Sequence, residues 1–244
     1  MTYCVGMMLD RGMVFMSDTR TNSGVDNIST FRKMVIWEKP GTACITVMTA
    51  GNLATTQAVI SLLEERSKSP FERDPDILSA SSMFQVATMI GNTLREVIST
   101  HADEGQRADA AFNATILVGG QIAGGEPRLF LIYPEGNFIE ASADTPFFQI
   151  GETKYGRPIL LRAYDPAMSY EEAIKLLLVS FDSTIKANLS VSLPLDVHVY
   201  EKGALTTGRR FRITGDDPYY QEISAGWGDA LKAAFAQLPE FSFD

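Results

Sequence analysis

The sequence is short of the residues most used in hydrolytic and metal chemistry. Its 244 residues include two histidines, His101 and His198, and two cysteines, Cys4 and Cys44. A zinc site of ordinary His and Cys ligands is hard to build from that stock. No G-x-S-x-G turn marks a serine for a Ser-His-Asp triad. Both cysteines sit in apolar, strand-like runs, which favours small buried thiols over a disulfide. His101 reads as part of a polar loop after a helical run, and His198 as a strand residue on the more polar face of LPLDVHVYE. The Gly-rich QIAGGEP lacks the Lys-Ser/Thr of a phosphate loop and reads as a hairpin connection. Lysine and arginine are scattered and the formal net charge is -9, which argues against a nucleic-acid partner. No apolar run is long enough to span a membrane, and the N-terminus lacks the basic-then-apolar plan of a secretory signal, so the expected location is cytoplasmic. No cofactor and no metal are expected.

What remains is 45% hydrophobic, enough for one sizeable layered domain. TYCVGMML and GMVFMSD read as strands joined at Asp10, Arg11 and Gly12. The polar SDTRTNSGVDNIST follows as a loop, then KMVIWE and ACITVMT as another strand pair. A helix begins just after Gly51, with Leu53, Ile60 and Leu63 at helical spacing, and a second carries Met83, Val86, Ile90, Leu94 and Val97 on one stripe. The charged KSPFERDPDI connects the two helices, and the polar HADEGQRADA leads out of the second. Further strands cover FNATILVGG, RLFLIYPEGNFIEAS and TPFFQIG, and helices cover residues 155–163 and 170–187. LPLDVHVYE and RRFRIT return to strand, and residues 219–238 form a last helix. Strands, two helices, strands, two helices, strands, helix permits an α+β four-layer α-β-β-α sandwich of two antiparallel sheets flanked by helix pairs.

The chemistry concentrates at the start of the chain. If Met1 is removed, Thr2 combines a hydroxyl nucleophile with an α-amine of pKa ~8 that can take its proton. Asp18 falls where the second strand ends and Lys33 where the third begins, so sheet topology can bring both near Thr2. A lysine beside the hydroxyl lowers the cost of the alkoxide, and an aspartate holds that lysine in place. The turn at Gly51 can aim a backbone N–H at an oxyanion. Taken singly, each of these is also what ordinary strand ends and strand-helix turns contain.

The head TYCVGMML-D-x-GMVFMSDTRT, the TFRK segment and the TAG before the first helix resemble the proteasome β-subunit superfamily of N-terminal nucleophile hydrolases. STFRK, TAGNLATTQAVISLL and ANLSVSLPLDV are similar to its Anbu, or ancestral β-subunit, branch. The resemblance runs from Thr2 to about Tyr200 and implies the N-terminal nucleophile sandwich; the expected division is a hydrolase domain over residues 2–214 and a C-terminal helical extension over residues 215–244 packed on the same domain. It implies a threonine peptidase with nucleophile Thr2, catalytic Asp18 and Lys33, oxyanion glycine Gly51 and a supporting Arg20. Substrate pockets would draw on Thr21, Val35, Thr49 and Leu53, and the substrate would be a peptide or unfolded protein. It also implies a ring-like or spiral homo-oligomer. The chain departs from the family where a serine, an aspartate and a second serine support the nucleophile: Glu152, Asn188 and Val191 stand there, with Ser190 near enough to supply one hydroxyl. Lys33 aligns after a one-residue deletion in the preceding loop, and maturation would rest on removal of Met1. A non-catalytic scaffold subunit and a small-molecule amidase are the other readings that these residues allow.

Overall fold

The computed structural model describes residues 2–22, 28–68, 76–101 and 112–243. Met1, residues 23–27 of the SDTRTNSGVDNIST run, most of the two polar connectors around the second helix and Asp244 lie outside them. Strands β1 (Tyr3–Leu9) and β2 (Gly12–Asp18) form the expected hairpin. β10 (Phe147–Gly151), β11 (Leu195–Glu201) and β12 (Arg209–Ile213) complete an antiparallel sheet in the order β10-β1-β2-β11-β12. A second sheet runs β5-β6-β7-β8-β9, from β5 (Met34–Lys39), β6 (Ala43–Gly51), β7 (Ala114–Ile122), β8 (Arg128–Ile132) and β9 (Phe138–Glu140).

Both sheets are covered on both faces over their central strands, while the edge strands β9 and β12 are largely exposed. Helices α1 (Leu53–Lys68) and α2 (Met83–His101) cover one side of the second sheet, where Val59, Leu63, Ile90 and Leu94 meet Ile45, Val47, Val118 and Phe130. Helices α3 (Arg157–Ala163), α4 (Tyr170–Ala187) and α5 (Pro218–Ala236) cover the first sheet, where Leu160, Leu177, Phe181 and Tyr220 meet Tyr3, Val5, Val14 and Val197. Between the sheets lie Cys4, Met13, Phe15, Cys44, Met48, Leu117 and Leu129. The alternation along each strand therefore sorts apolar residues between two cores instead of separating core from solvent. The result is the four-layer α-β-β-α sandwich.

The sheets approach closely because glycines face each other's neighbours: a Cβ on Gly119 would stand 2.7 Å from the Phe15 ring, and one on Gly6 would stand 3.0 Å from Leu129. α4 starts at Ser169, whose hydroxyl accepts from the Glu172 N–H while the Glu172 carboxylate accepts from the Ser169 N–H, a capping box.

Three expectations need correction. Part of the polar run after Asp18 is strand: β3 (Arg20–Asn22) pairs with β4 (Ile28–Thr30), since backbone pairing needs no apolar alternation. α2 extends to His101, which its polar neighbours had placed in a loop. His198 is fully buried between the sheets, where the Thr46 hydroxyl meets its Nδ1 at 2.8 Å and its Nε2 donates to the Thr207 carbonyl. The buried face of β11 takes a histidine because both ring nitrogens find partners. The two cysteines are buried and free, as their apolar surroundings suggested.

Candidate active site

The ends of five elements converge on the start of the chain. β1 is an interior strand, flanked by β2 and β10, and the register pairs Tyr3 with Gly151 and Cys4 with Ser17. Thr2 is thereby fixed at the edge of the first sheet without being sealed in: it is half-buried, and its carbonyl accepts the Glu152 N–H at 2.7 Å. Gly151 makes that approach sterically feasible. Its φ is +83°, and a Cβ there would stand 1.9 Å from the Thr2 carbonyl oxygen.

Asp18 closes β2 and is fully buried. One carboxylate oxygen, Oδ1, accepts both the Tyr3 N–H at 2.9 Å and the Lys33 ammonium at 2.6 Å. A single atom thus ties the residue after Thr2 to the lysine. Burial pushes the Asp18 carboxyl above its ordinary range, while Lys33 and the Tyr3 N–H pull it back. Lys33, itself buried, also donates to the Arg20 carbonyl at 2.6 Å, and its own carbonyl accepts the Thr49 N–H at 3.0 Å. Two of the three ammonium protons are committed to Asp18 and Arg20. Arg20 therefore enters through its backbone at the start of β3.

Gly51 ends β6 with φ +116°, and a Cβ would come within 2.3 Å of the Asn113 carbonyl. Asn52 then caps α1, its side-chain oxygen accepting the Thr55 N–H at 3.0 Å. Beside Lys33 opens a cavity of about 250 Å³ whose walls include Arg32, Val35, Thr49, Thr56, Gln57 and Ile60. Val35 and Thr49, which the resemblance implies for substrate pockets, are in its wall. Leu53, in the first turn of α1, is not among the described residues that do, and the Thr21 side chain lies outside the described residues, although its backbone pairs with Ser29 in β4.

Glu152, Asn188 and Ser190 form a hydrogen-bonded network. Glu152 is buried, and the Asn188 amide donates to its carboxylate at 2.9 Å. The Asn188 side-chain oxygen accepts the Ser190 N–H at 3.0 Å, so Ser190 joins through its backbone. Val191 points into the core against the helix layer. In the sequence Glu152 stands out only as a departure from the family's serine, and its place next to Gly151 is the one sign that its N–H meets Thr2. The shared Asp18 oxygen and the Arg20 carbonyl were invisible, because backbone donors and acceptors leave no mark in side-chain identity. Among the described residues no group of three or more His, Cys, Asp or Glu side chains could hold a metal ion.

Residues 2–193 match the family model of the proteasome subunit. Among solved structures, the chain is similar to Anbu (ancestral beta-subunit) from Yersinia bercovieri, with 47% identity over the whole of both chains and a TM-score of 0.93. Anbu from Hyphomicrobium sp. strain MC1 is 46% identical over 99% of this chain and 100% of its own, with a TM-score of 0.91. The helical assembly of the Anbu complex from Pseudomonas aeruginosa is 44% identical over 99% of each chain, also with a TM-score of 0.91. No curated protein matches.

Proposed function

The chain belongs to the Anbu branch of the proteasome subunit family, and on that premise we propose that it is a threonine peptidase whose nucleophile is the Thr2 hydroxyl, freed by removal of Met1. The observation that carries this reading is the single Asp18 oxygen shared by the Tyr3 N–H and the Lys33 ammonium. It makes the position of Lys33 and the position of the nucleophile's strand one geometric variable.

In this mechanism the Thr2 hydroxyl gives its proton to the Thr2 amine, directly or through a water, as Oγ bonds to the scissile carbonyl carbon. The third Lys33 N–H faces the forming alkoxide and lowers its cost, and Asp18 keeps Lys33 charged and oriented. The Gly51 N–H takes the oxyanion. The amine fragment leaves with the proton, and water then hydrolyses the Thr2 ester, returning the hydroxyl. The cavity beside Lys33, with Val35 and Thr49 in its wall, accepts a side chain of a peptide or unfolded protein. Residues 2–214 carry this chemistry and residues 215–244 form the extension. The subunit acts within a ring-like or spiral homo-oligomer, for which the helical assembly of the Pseudomonas relative is the support.

The test is the intact mass of the protein before and after incubation with a threonine-directed epoxyketone or β-lactone. Loss of Met1 plus one adduct, absent in Thr2→Ala, is expected. Retained Met1 and no adduct would replace this reading with a non-catalytic scaffold subunit, which the Glu152–Asn188 pair in place of the family's serine and aspartate favours.

A further inference from the structure

Across the first sheet the register runs Cys4, Ser17, Asp196, Arg212, and two residues further along β2 it runs Phe15, His198, Arg210. Directly paired residues of antiparallel strands project from the same face, and Cys4 and Phe15 face the second sheet. Arg210 and Arg212 are therefore on that face too, on the edge strand β12. There a cavity of about 290 Å³ opens between the sheets. Met34 and Ile36 of the edge strand β5 line it from one sheet, Asp196, Arg210 and Arg212 from the other, and Arg32 from the approach to β5.

Three guanidiniums around so small a space repel one another, and the fold compensates one of them. Asp196, 17% exposed, accepts from Arg212 through both carboxylate oxygens, at 2.7 and 2.9 Å. Arg32 and Arg210 have no ion-pair partner among the described residues. In a chain of formal net charge -9, two uncompensated guanidiniums on one cavity make a local site for an anion. Their planar forks match a carboxylate, and the apolar Met34 and Ile36 keep water from one side of such a pair.

Arg32 ties this cavity to the candidate active site. It precedes Lys33 and lines the cavity beside Lys33 as well, so the two spaces share a wall. Neighbouring strands lie about 4.8 Å apart, so the steps from β1 through β2 and β11 to β12 put Arg212 roughly 14 Å from Cys4. An extended peptide covers that distance in about four residues.

From these observations we infer that the cavity between β5 and β12 binds the side-chain carboxylate of a Glu or Asp in a peptide substrate, about four residues from the bond held at Thr2. The inference rests on the peptidase reading and names its substrate class, peptides with an acidic residue displaced from the point of cleavage.

The test titrates fluorescein-labelled octapeptides, with a single Glu or Gln moved through each position, into full-length Thr2→Ala protein and follows anisotropy. At one position Glu should bind at least tenfold tighter than Gln, and added salt should narrow the difference. Arg210→Gln in the same background should abolish the preference with its circular dichroism unchanged, since Arg210 is exposed. Arg95→Gln, the same charge change on the exposed face of α2, should keep it. Epoxyketone labelling of the parent at Thr2 with no Glu preference at any position would overturn the carboxylate site and leave the peptidase reading standing. An Arg210-dependent Glu preference in a protein that no epoxyketone labels would support the carboxylate site and overturn the peptidase reading instead. Inorganic phosphate bound by the parent and not by Arg210→Gln, with Glu and Gln peptides equal, would assign the cavity to a free anion and overturn the peptide as its source. Loss of self-association in Arg210→Gln, with Glu and Gln peptides equal in the parent, would assign the arginines to a contact between copies and overturn the inference as well.

Discussion

Lys33 is held in a buried place by Asp18 and the Arg20 carbonyl, which accept hydrogen bonds from two of its N–H groups. Lys33→Met preserves the packing of the stem but leaves Asp18 an unpaired buried carboxylate. The expected loss is about 3–5 kcal/mol at neutral pH. Burial already raises the Asp18 value and Lys33 opposes that rise, so without Lys33 the carboxyl takes up a proton more readily. The variant should therefore recover part of its loss as pH falls into the mildly acidic range, which urea denaturation of both proteins at the two pH values checks. His198 titrates in the opposite sense. Burial pushes it down from 6.5 to about 4, so between those values the unfolded chain binds a proton that the folded chain excludes. Its contribution is complete above pH 6.5 and is lost progressively as pH falls towards 4, a loss of about 3 kcal/mol. In His198→Gln that part of the stability profile should be flat.

At the scale of elements, α2 was legible because it buries one stripe at a period near 3.6, made of Val86, Ile90, Leu94 and Val97. β3 and β4 were not, because a polar two-stranded ribbon has no apolar rhythm to read. Thr2, Asp18, Lys33 and Gly51 were nameable from strand ends and resemblance, and so was the Asp18–Lys33 pairing; the Tyr3 N–H and the Arg20 carbonyl that complete it are backbone groups, which sequence hides. The turn from β10 into Glu152 shows the difference. Gly151→Ala puts a methyl group into the Thr2 carbonyl at a residue with φ +83°. The substitution should shift the start of β1 and cut inhibitor labelling at Thr2 at least tenfold, while residual secondary structure by circular dichroism stays near that of the parent. Gly151→Ala labelling at the parental rate would show that Thr2 does not depend on this approach.

At the scale of the molecule, the sandwich is two sheet-helix cores pressed together through a third, and Phe15 fills the contact left by Gly6 and Gly119. Phe15→Ala should cost about 3–5 kcal/mol, measured by chemical denaturation, and should loosen the β6 side of the site, Gly51 included, relative to the Thr2 side. The topology also has a bearing on time. β1 is an interior strand whose second neighbour, β10, lies far along the chain, and Tyr3 pairs with Gly151. Pairing across so long a stretch of chain waits on the synthesis of everything between. The strand that follows Thr2 is therefore seated only once β10 exists, so Thr2 and the sandwich around it take their places together.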